Sequence, residues 1–124
     1  MRHTAPKILL SACSVAVITG TLLIAPFTAG AAEESAAEKG KAVAFDRKLG
    51  NCLACHAIEG GDLPGNIGPP LVSMKLRFPD KALLRSQIAD ATVRNPNTIM
   101  PPFGRFNILS EEQIDQLVEY VYTL

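Results

Sequence analysis

The stretch at residues 51–60, NCLACHAIEG, limits what this chain can fold into more than any other. It places the thiols of Cys52 and Cys55 three positions apart and the imidazole of His56 directly after the second thiol. Such a cluster can form a disulfide, bind zinc or attach a haem covalently. These sites need different partners elsewhere in the chain, so the remaining ligand-type residues decide between them.

The first thirty or so residues differ in character from the rest of the chain. Arg2 and Lys7 give a positive start, and residues 8–25 then contain no charge. Small residues at 29–31 follow at the spacing of a cleavage site. These features predict a secretory signal peptide over residues 1–31 and therefore export of the mature chain. An exported chain meets an oxidising compartment, where thiols rarely stay free.

Two other interpretations of this N-terminal segment stay open. The apolar run is about long enough to span a bilayer as an uncleaved anchor. Residues 10–13, LSAC, also resemble a lipoprotein box with Cys13 as the lipidated residue, although the apolar stretch after Lys7 is short for that role. We predict cleavage, and so no stable membrane insertion of the mature chain.

The 93 residues after the predicted cleavage site are close to neutral. They keep ten Lys and Arg residues and all twelve Asp and Glu residues, which gives a formal charge of −2. They contain no basic stripe, so nucleic acid is not an expected partner. A chain of this length buries only a modest core, and a large buried cofactor would help it to fold.

Apolar periodicity predicts helices and no strand. A first helix is predicted over about residues 36–49, with Gly50 closing its C-terminus. A second is predicted over residues 80–93. The last begins with a capping box formed by Ser110 and Gln113, followed by an apolar stripe.

The segments between these helices are irregular. Residues 59–70 and 95–106 are rich in Gly and Pro, which predicts loops. Long loops without regular structure are uncommon in a compact domain unless they are functional. Both follow the Cys-Cys-His motif, as they would if they wrapped a cofactor. The sequence therefore predicts an all-α domain over residues 36–124, preceded by a flexible acidic lead-in at residues 32–35.

The inventory of ligands favours a covalently bound haem. Without the predicted signal peptide, Cys52 and Cys55 are the only cysteines and His56 is the only histidine. A structural zinc site needs four ligands, so Glu59 or Asp62 would have to complete it. A redox-active Cys-x-x-Cys pair normally follows a strand, and none is predicted here. Thioether attachment of one c-type haem remains, with His56 beneath the iron as its proximal ligand.

The sixth ligand of such an iron cannot be a second histidine of the mature chain. Met74 lies eighteen residues after His56 among apolar neighbours, which is typical of a core residue. Met100 lies forty-four residues after His56, and Pro101 and Pro102 follow it in a rigid loop. We therefore predict Met100 as the distal ligand. A His/Met iron is coordinatively saturated and has a raised potential, which suits electron transfer.

Other residues carry weaker signals. Lys75 could ligate iron only as a deprotonated amine. Pro101, Pro102 and Phe103 could form an exposed apolar rim for docking. Three arginines could pair with haem propionates, because the guanidinium fork matches a carboxylate: Arg77, Arg94 and Arg105.

The order of these features resembles class I cytochromes c. Three stretches, at residues 50–71, 74–105 and 108–124, resemble more closely the SoxX family. These proteins are the small monohaem subunits of the SoxAX cytochromes of bacterial sulfur oxidation. The CxxCH motif is shared by all c-type cytochromes, whereas GDLPGNIGPP and RNPNTIMPPFG are far more specific. The resemblance covers nearly all of residues 36–124.

The resemblance implies a class I cytochrome c-like domain of three to five short helices wrapped around one covalently bound haem. It implies that Cys52 and Cys55 bind the haem, that His56 is the proximal ligand and that Met100 is the distal ligand. It further implies that the carbonyl of Pro69 accepts a hydrogen bond from the proximal imidazole, which would fix the ring and its basicity.

The resemblance also implies partners. SoxX pairs with SoxA in the periplasm, and the heterodimer oxidatively joins thiosulfate to a cysteine of the SoxYZ carrier, as an L-cysteine S-thiosulfotransferase. The reactive cysteine belongs to SoxA, so this chain would pass electrons to a small cytochrome c and would not be catalytic alone. Two other functions stay open: a free-standing soluble cytochrome c shuttle, and an open-site haem enzyme such as a peroxidase. The sequence places no acid–base group near Met100, which argues against the peroxidase.

Overall fold

Helices make up all the regular structure of residues 33–124, the part of the chain that this computed structural model describes. The α-helices are α1, Ala36–Phe45; α2, Met74–Arg77; α3, Lys81–Ala89; and α4, Glu111–Val121. Two short 3-10 helices span Cys52–Ala54 and Ala91–Val93. The all-α prediction is therefore confirmed. The predicted signal peptide and Cys13 lie outside the described residues. Within residues 33–124, no helix combines the length and the apolar character needed to cross a bilayer.

Helices α1 and α4 cross at close range, and Gly40 on α1 allows this. A Cβ atom at Gly40 would lie 1.9 Å from the carbonyl oxygen of Gln116 and 2.9 Å from Cβ of Tyr120. No side chain fits in that space, so the two backbones approach each other only with glycine there. Beside the crossing, the rings of Phe45 and Tyr120 pack edge to face with centroids 6.2 Å apart.

Helix α4 carries the largest share of the core, and its predicted capping box is confirmed. The hydroxyl of Ser110 accepts the N–H of Gln113 at 3.2 Å, and the side chain of Gln113 accepts the N–H of Ser110 at 2.9 Å. The box satisfies two donors that a helix start leaves without partners. The predicted apolar stripe is buried as well: Ile114, Leu117, Val118 and Val121.

Replacing Ser110 with alanine should destabilise the domain by about 0.5–2 kcal/mol, because the N–H of Gln113 loses its acceptor. Urea unfolding of the holoprotein measures this change. Ser86→Ala is the matched control, since that hydroxyl lies on the exposed side of α3 and bonds only the carbonyl of Leu83. Equal stability of the two variants would show that the cap contributes nothing.

Helix α1 ends four residues earlier than predicted. Asp46 is extended, with φ −71° and ψ 120°, so the helix stops at Phe45. The chain then folds back, and the N–H of Gly50 donates to the carbonyl of Val43 at 3.1 Å. Gly50 is thus a buried residue of this return turn and not the cap of the helix. The apolar period continues to Leu49, which is why the sequence predicted a longer helix. The hydrogen bond between the return turn and α1 ends the helix earlier.

Helix α3 also ends earlier than residue 93. Asp90 is extended, with φ −153°, and the carbonyl of Ala89 accepts the N–H of Gly104 at 2.9 Å. A distant loop thus supplies the hydrogen bond that the next helical turn would have made. The carboxylate of Asp90 then accepts the N–H of Thr92 at 3.0 Å and starts the following 3-10 helix.

The short helix α2 was not predicted. It follows Ser73, which adopts a left-handed conformation with φ 52°, and no side chain caps its start. Its first N–H, from Met74, donates to the carbonyl of Leu124 at 2.9 Å. Met74 is only 2% exposed and belongs to the core, as its apolar neighbours in the sequence indicated.

Candidate haem site

One cavity, of about 520 Å³, brings together the five residues that were expected to attach, ligate or orient the haem. Cys52, Cys55, His56, Pro69 and Met100 all line it. Its volume falls within the range of pockets that hold small molecules and cofactors. Most of the remaining lining is apolar, including Leu71, Met74, Phe78, Leu84, Ile88 and Phe103.

The CxxCH motif lies on a tight turn that aims its side chains into this cavity. Asn51 precedes the turn in a left-handed conformation, with φ 46°, which asparagine tolerates better than most residues. A single 3-10 turn, Cys52–Ala54, follows, and the N–H of His56 donates to the carbonyl of Cys52 at 2.9 Å. Two sulfurs and one imidazole therefore line the same wall.

The ring of His56 is oriented by a hydrogen bond to the facing loop. Its Nδ1 atom lies 2.7 Å from the carbonyl oxygen of Pro69. Because a carbonyl only accepts, Nδ1 must carry the proton, and Nε2 presents a free lone pair. This is the arrangement found behind metal-bound imidazoles, where the second nitrogen donates to a carbonyl or carboxylate.

Gly68 allows the loop to approach the ring this closely. A Cβ atom there would lie 2.4 Å from Cε1 and 2.6 Å from Nδ1 of His56. The N–H of Gly68 also donates to the carbonyl of Cys55 at 2.8 Å. The loop is thus pressed against the motif at the level of the imidazole.

Gly68→Ala should force the ring and the loop apart. We expect a loss of about 1–3 kcal/mol in stability, the usual cost of overpacking, together with a lower yield of covalent haem per chain. Haem content and urea unfolding measure the two effects. Gly60→Asn is the control, because a Cβ atom there would meet nothing within 4 Å and asparagine tolerates its φ of 76°. Full haem content in Gly68→Ala would contradict this prediction.

Met100 enters the cavity from the proline-rich loop. Its N–H donates to the hydroxyl of Thr98 at 3.1 Å, which fixes the loop just before the methionine. Its Sδ atom lies 4.0 Å from Nε2 of Gln87 on α3. Met74 also lines the cavity, but its sulfur lies 3.4 Å from Nη1 of Arg77 and its side chain is buried in the core.

The structure corrects one of the weaker expectations, the exposed rim, and places one of the three arginines, Arg77, on the cavity. Phe103 is 6% exposed and cannot form an exposed rim. Arg94 lies over the ring of Phe78, 5.5 Å from its centroid, and Arg105 pairs with Asp90 at 3.6 Å; neither arginine lines the cavity. Arg77 does line it, and donates to a loop carbonyl.

Sequence reasoning missed four polar residues of the lining: Arg47, Asn51, Gln87 and Thr98. Arg47 precedes the CxxCH motif by only a few positions. It resembles an ordinary solvent-exposed charged residue, so the sequence did not indicate that it lines the cavity. Gln87 lies in the apolar pattern of α3 and faces the cavity only because of how that helix packs.

The geometry disfavours the zinc and disulfide alternatives. Within residues 33–124, no group of three or more His, Cys, Asp or Glu side chains is placed to hold a metal ion. Burial raises the pKa of the Cys52 thiol to about 11. A redox-active cysteine works as a thiolate and has a lowered pKa, which Cys52 lacks. A nitrogen donor, a thioether donor and paired thiols around an apolar cavity instead fit a c-type haem.

Comparison with known proteins agrees with this site. Residues 35–121 match the family model described as "Cytochrome C oxidase, cbb3-type, subunit III". The structure is similar to the crystal structure of SoxXA from P. pantotrophus, with a TM-score of 0.63 and 30% sequence identity. That match covers 69% of this chain and 79% of the other. No curated protein sequence matches the chain.

This structural match, together with the all-helical architecture of residues 33–124, confirms the class I cytochrome c fold. A c-type haem and an electron-transfer role follow from the same relationships. The chain therefore belongs to the c-type cytochromes that the family model describes, and is a SoxX-like member of them.

Proposed function

We propose that this chain is the periplasmic electron-transfer subunit of a SoxAX-type complex. The observation that carries the proposal is its 30% identity to a chain of the SoxXA structure, over more than two thirds of both chains. The complex would act as an L-cysteine S-thiosulfotransferase. This chain would transfer electrons within the complex and would not be catalytic alone.

The donor set around the cavity supports one covalent haem with two axial ligands. Cys52 and Cys55 would form the thioethers, Nε2 of His56 would be the proximal ligand and Sδ of Met100 the distal one. The hydrogen bond from His56 to Pro69 supports the proximal role, because it leaves Nε2 free. When bound, the haem supplies a one-electron iron couple.

The rest of the lining supports electron transfer over chemistry at the iron. Among the described residues that line the cavity there is no carboxylate, and no histidine besides His56. A peroxidase needs such groups to move protons at its distal face. The apolar walls exclude water. This exclusion raises the reduction potential of a bound haem and lowers the reorganisation energy of electron transfer.

The proposed reaction assigns the bond-forming chemistry to the partner. Joining the terminal sulfur of thiosulfate to a carrier thiol forms a sulfur–sulfur bond and releases a proton and a pair of electrons. Both cysteines of the described chain would be consumed by haem attachment, so the reactive thiols would belong to a SoxA-type subunit and to the SoxYZ carrier. This chain would accept the two electrons one at a time and pass each to a small cytochrome c before it takes the next.

Co-expression with a SoxA-type subunit tests the proposal. We expect a stable 1:1 heterodimer by size-exclusion chromatography with light scattering. We further expect that thiosulfate with SoxYZ reduces the haem of the heterodimer but not of the isolated chain. A monomer that exchanges electrons rapidly with unrelated partners would instead identify a free-standing shuttle. A high-spin resting iron that binds carbon monoxide readily would identify an open-site enzyme.

The proposed location has its own test. The mass of the chain purified from the periplasmic fraction should correspond to cleavage after Ala31 or Ala32 plus one haem. A mass that includes residues 1–31 would indicate a retained anchor, and a lipid-sized increase on Cys13 would indicate a lipoprotein.

A further inference from the structure

Two consecutive prolines, Pro69 and Pro70, face the CxxCH motif, and neither has an N–H to donate. Backbone hydrogen bonds to these two residues can therefore be made only through their carbonyl oxygens, as acceptors. Each carbonyl accepts a hydrogen bond from a side chain. Pro69 accepts from Nδ1 of His56 at 2.7 Å, and Pro70 accepts from Nη1 of Arg77 at 2.7 Å.

Backbone hydrogen bonds fasten this loop only on either side of the prolines. The N–H of Gly68 donates to the carbonyl of Cys55 at 2.8 Å, and the N–H of Leu71 donates to the carbonyl of Ala57 at 2.9 Å. Between these two points no backbone donor is available. Arg77 supplies the missing contact, at the carbonyl of Pro70.

Arg77 is in turn anchored to the core. It is the last residue of α2, and its backbone N–H donates to the carbonyl of Ser73 at 3.2 Å. The first residue of α2, Met74, is buried and bonded to the carbonyl of Leu124 at 2.9 Å. Nη1 of Arg77 also lies 3.4 Å from the sulfur of Met74. The guanidinium therefore links a fixed point of the core to the proline loop.

We propose that Arg77 is a positioning residue for the proximal ligand. By holding the carbonyl of Pro70, it keeps the adjacent carbonyl of Pro69 against Nδ1–H of His56. The strength of that hydrogen bond sets the orientation and basicity of the imidazole, which tune a bound haem iron. This inference rests on the proposed ligation of haem by His56.

The test measures how fast the Nδ1 proton of His56 exchanges with solvent, by NMR on the reduced holoprotein. Arg77→Met keeps most of the stem but removes the donor, and we expect exchange to be about ten-fold faster or more, as the loss of a hydrogen bond from a charged donor implies. Arg77→Lys keeps a cationic donor without the fork and should restore part of the protection. Arg94→Met removes one positive charge outside the cavity and should leave the exchange unchanged.

Backbone exchange at Leu117, buried at the centre of the core, is the internal reference. Faster exchange of the Nδ1 proton of His56 in Arg77→Met, with unchanged exchange at Leu117, supports the proposal. Exchange of the Nδ1 proton within two-fold of wild type, or equal acceleration at Leu117, overturns it. Failure of the proposed function is distinguishable, because a wild-type holoprotein without histidine-ligated iron would reveal it before any variant is made.

Discussion

Replacing Met100 with leucine will lower the reduction potential of the haem by on the order of 100 mV or more, within the roughly 0.8 V that axial ligation spans. The thioether favours reduced iron, and leucine offers no donor in its place. Leucine has nearly the same volume, so the loop held by Thr98 should stay folded. A redox titration measures the shift, and the methionine-to-iron charge-transfer band at the red end of the visible spectrum should disappear.

Met74→Leu is the matched control for this prediction. Met74 lines the same cavity but is 2% exposed and packs in the core. Its replacement should leave the potential nearly unchanged and reduce stability by less than about 1.5 kcal/mol. If instead Met74→Leu removes the charge-transfer band and Met100→Leu retains it, the distal ligand has been assigned to the wrong sulfur.

Gly40→Ala should destabilise the domain by about 2–3 kcal/mol, the upper range for overpacking a closely packed site. The added methyl group would lie 1.9 Å from the carbonyl oxygen of Gln116, so the backbones of α1 and α4 must separate. The gain of about 1 kcal/mol that alanine brings to an exposed helix interior is too small to offset this. Urea unfolding of the holoprotein measures the difference.

Lys41→Ala serves as the control for Gly40→Ala, because Lys41 is exposed and adjacent on the same helix. We expect its stability to stay within about 0.5 kcal/mol of wild type, as is usual for surface positions. A Gly40→Ala variant as stable as Lys41→Ala would mean that the two helices do not cross as closely as the structure indicates.

The sequence predicted well those helix boundaries that are determined by residues close together in the chain. Ser110 and Gln113 form the capping box of α4 within four residues of each other, so the start of that helix is visible in the sequence alone. The end of α3 depends on a distant partner instead. The carbonyl of Ala89 bonds to Gly104, and no periodicity within α3 carries that information.

The same distinction applies to the site. The CxxCH motif and the proline-flanked Met100 are local patterns, and the structure places them on one cavity. The contacts of Arg77 and Gln87 arise from how α2 and α3 pack against the loops, so their roles became visible only in three dimensions. Helix α2 itself has only four residues, too few for an apolar period to appear.

The pairing of α1 with α4 also determines when this domain can form during synthesis. Helix α1 is complete at Phe45, but the helix it packs against begins only at Glu111. Contacts between residues so far apart in the chain form late and slow the folding reaction. The core therefore cannot assemble until the chain as far as Val121 is present. In the unfolded chain that export would deliver, Cys52 and Cys55 are both open to haem attachment before α1 and α4 pack together.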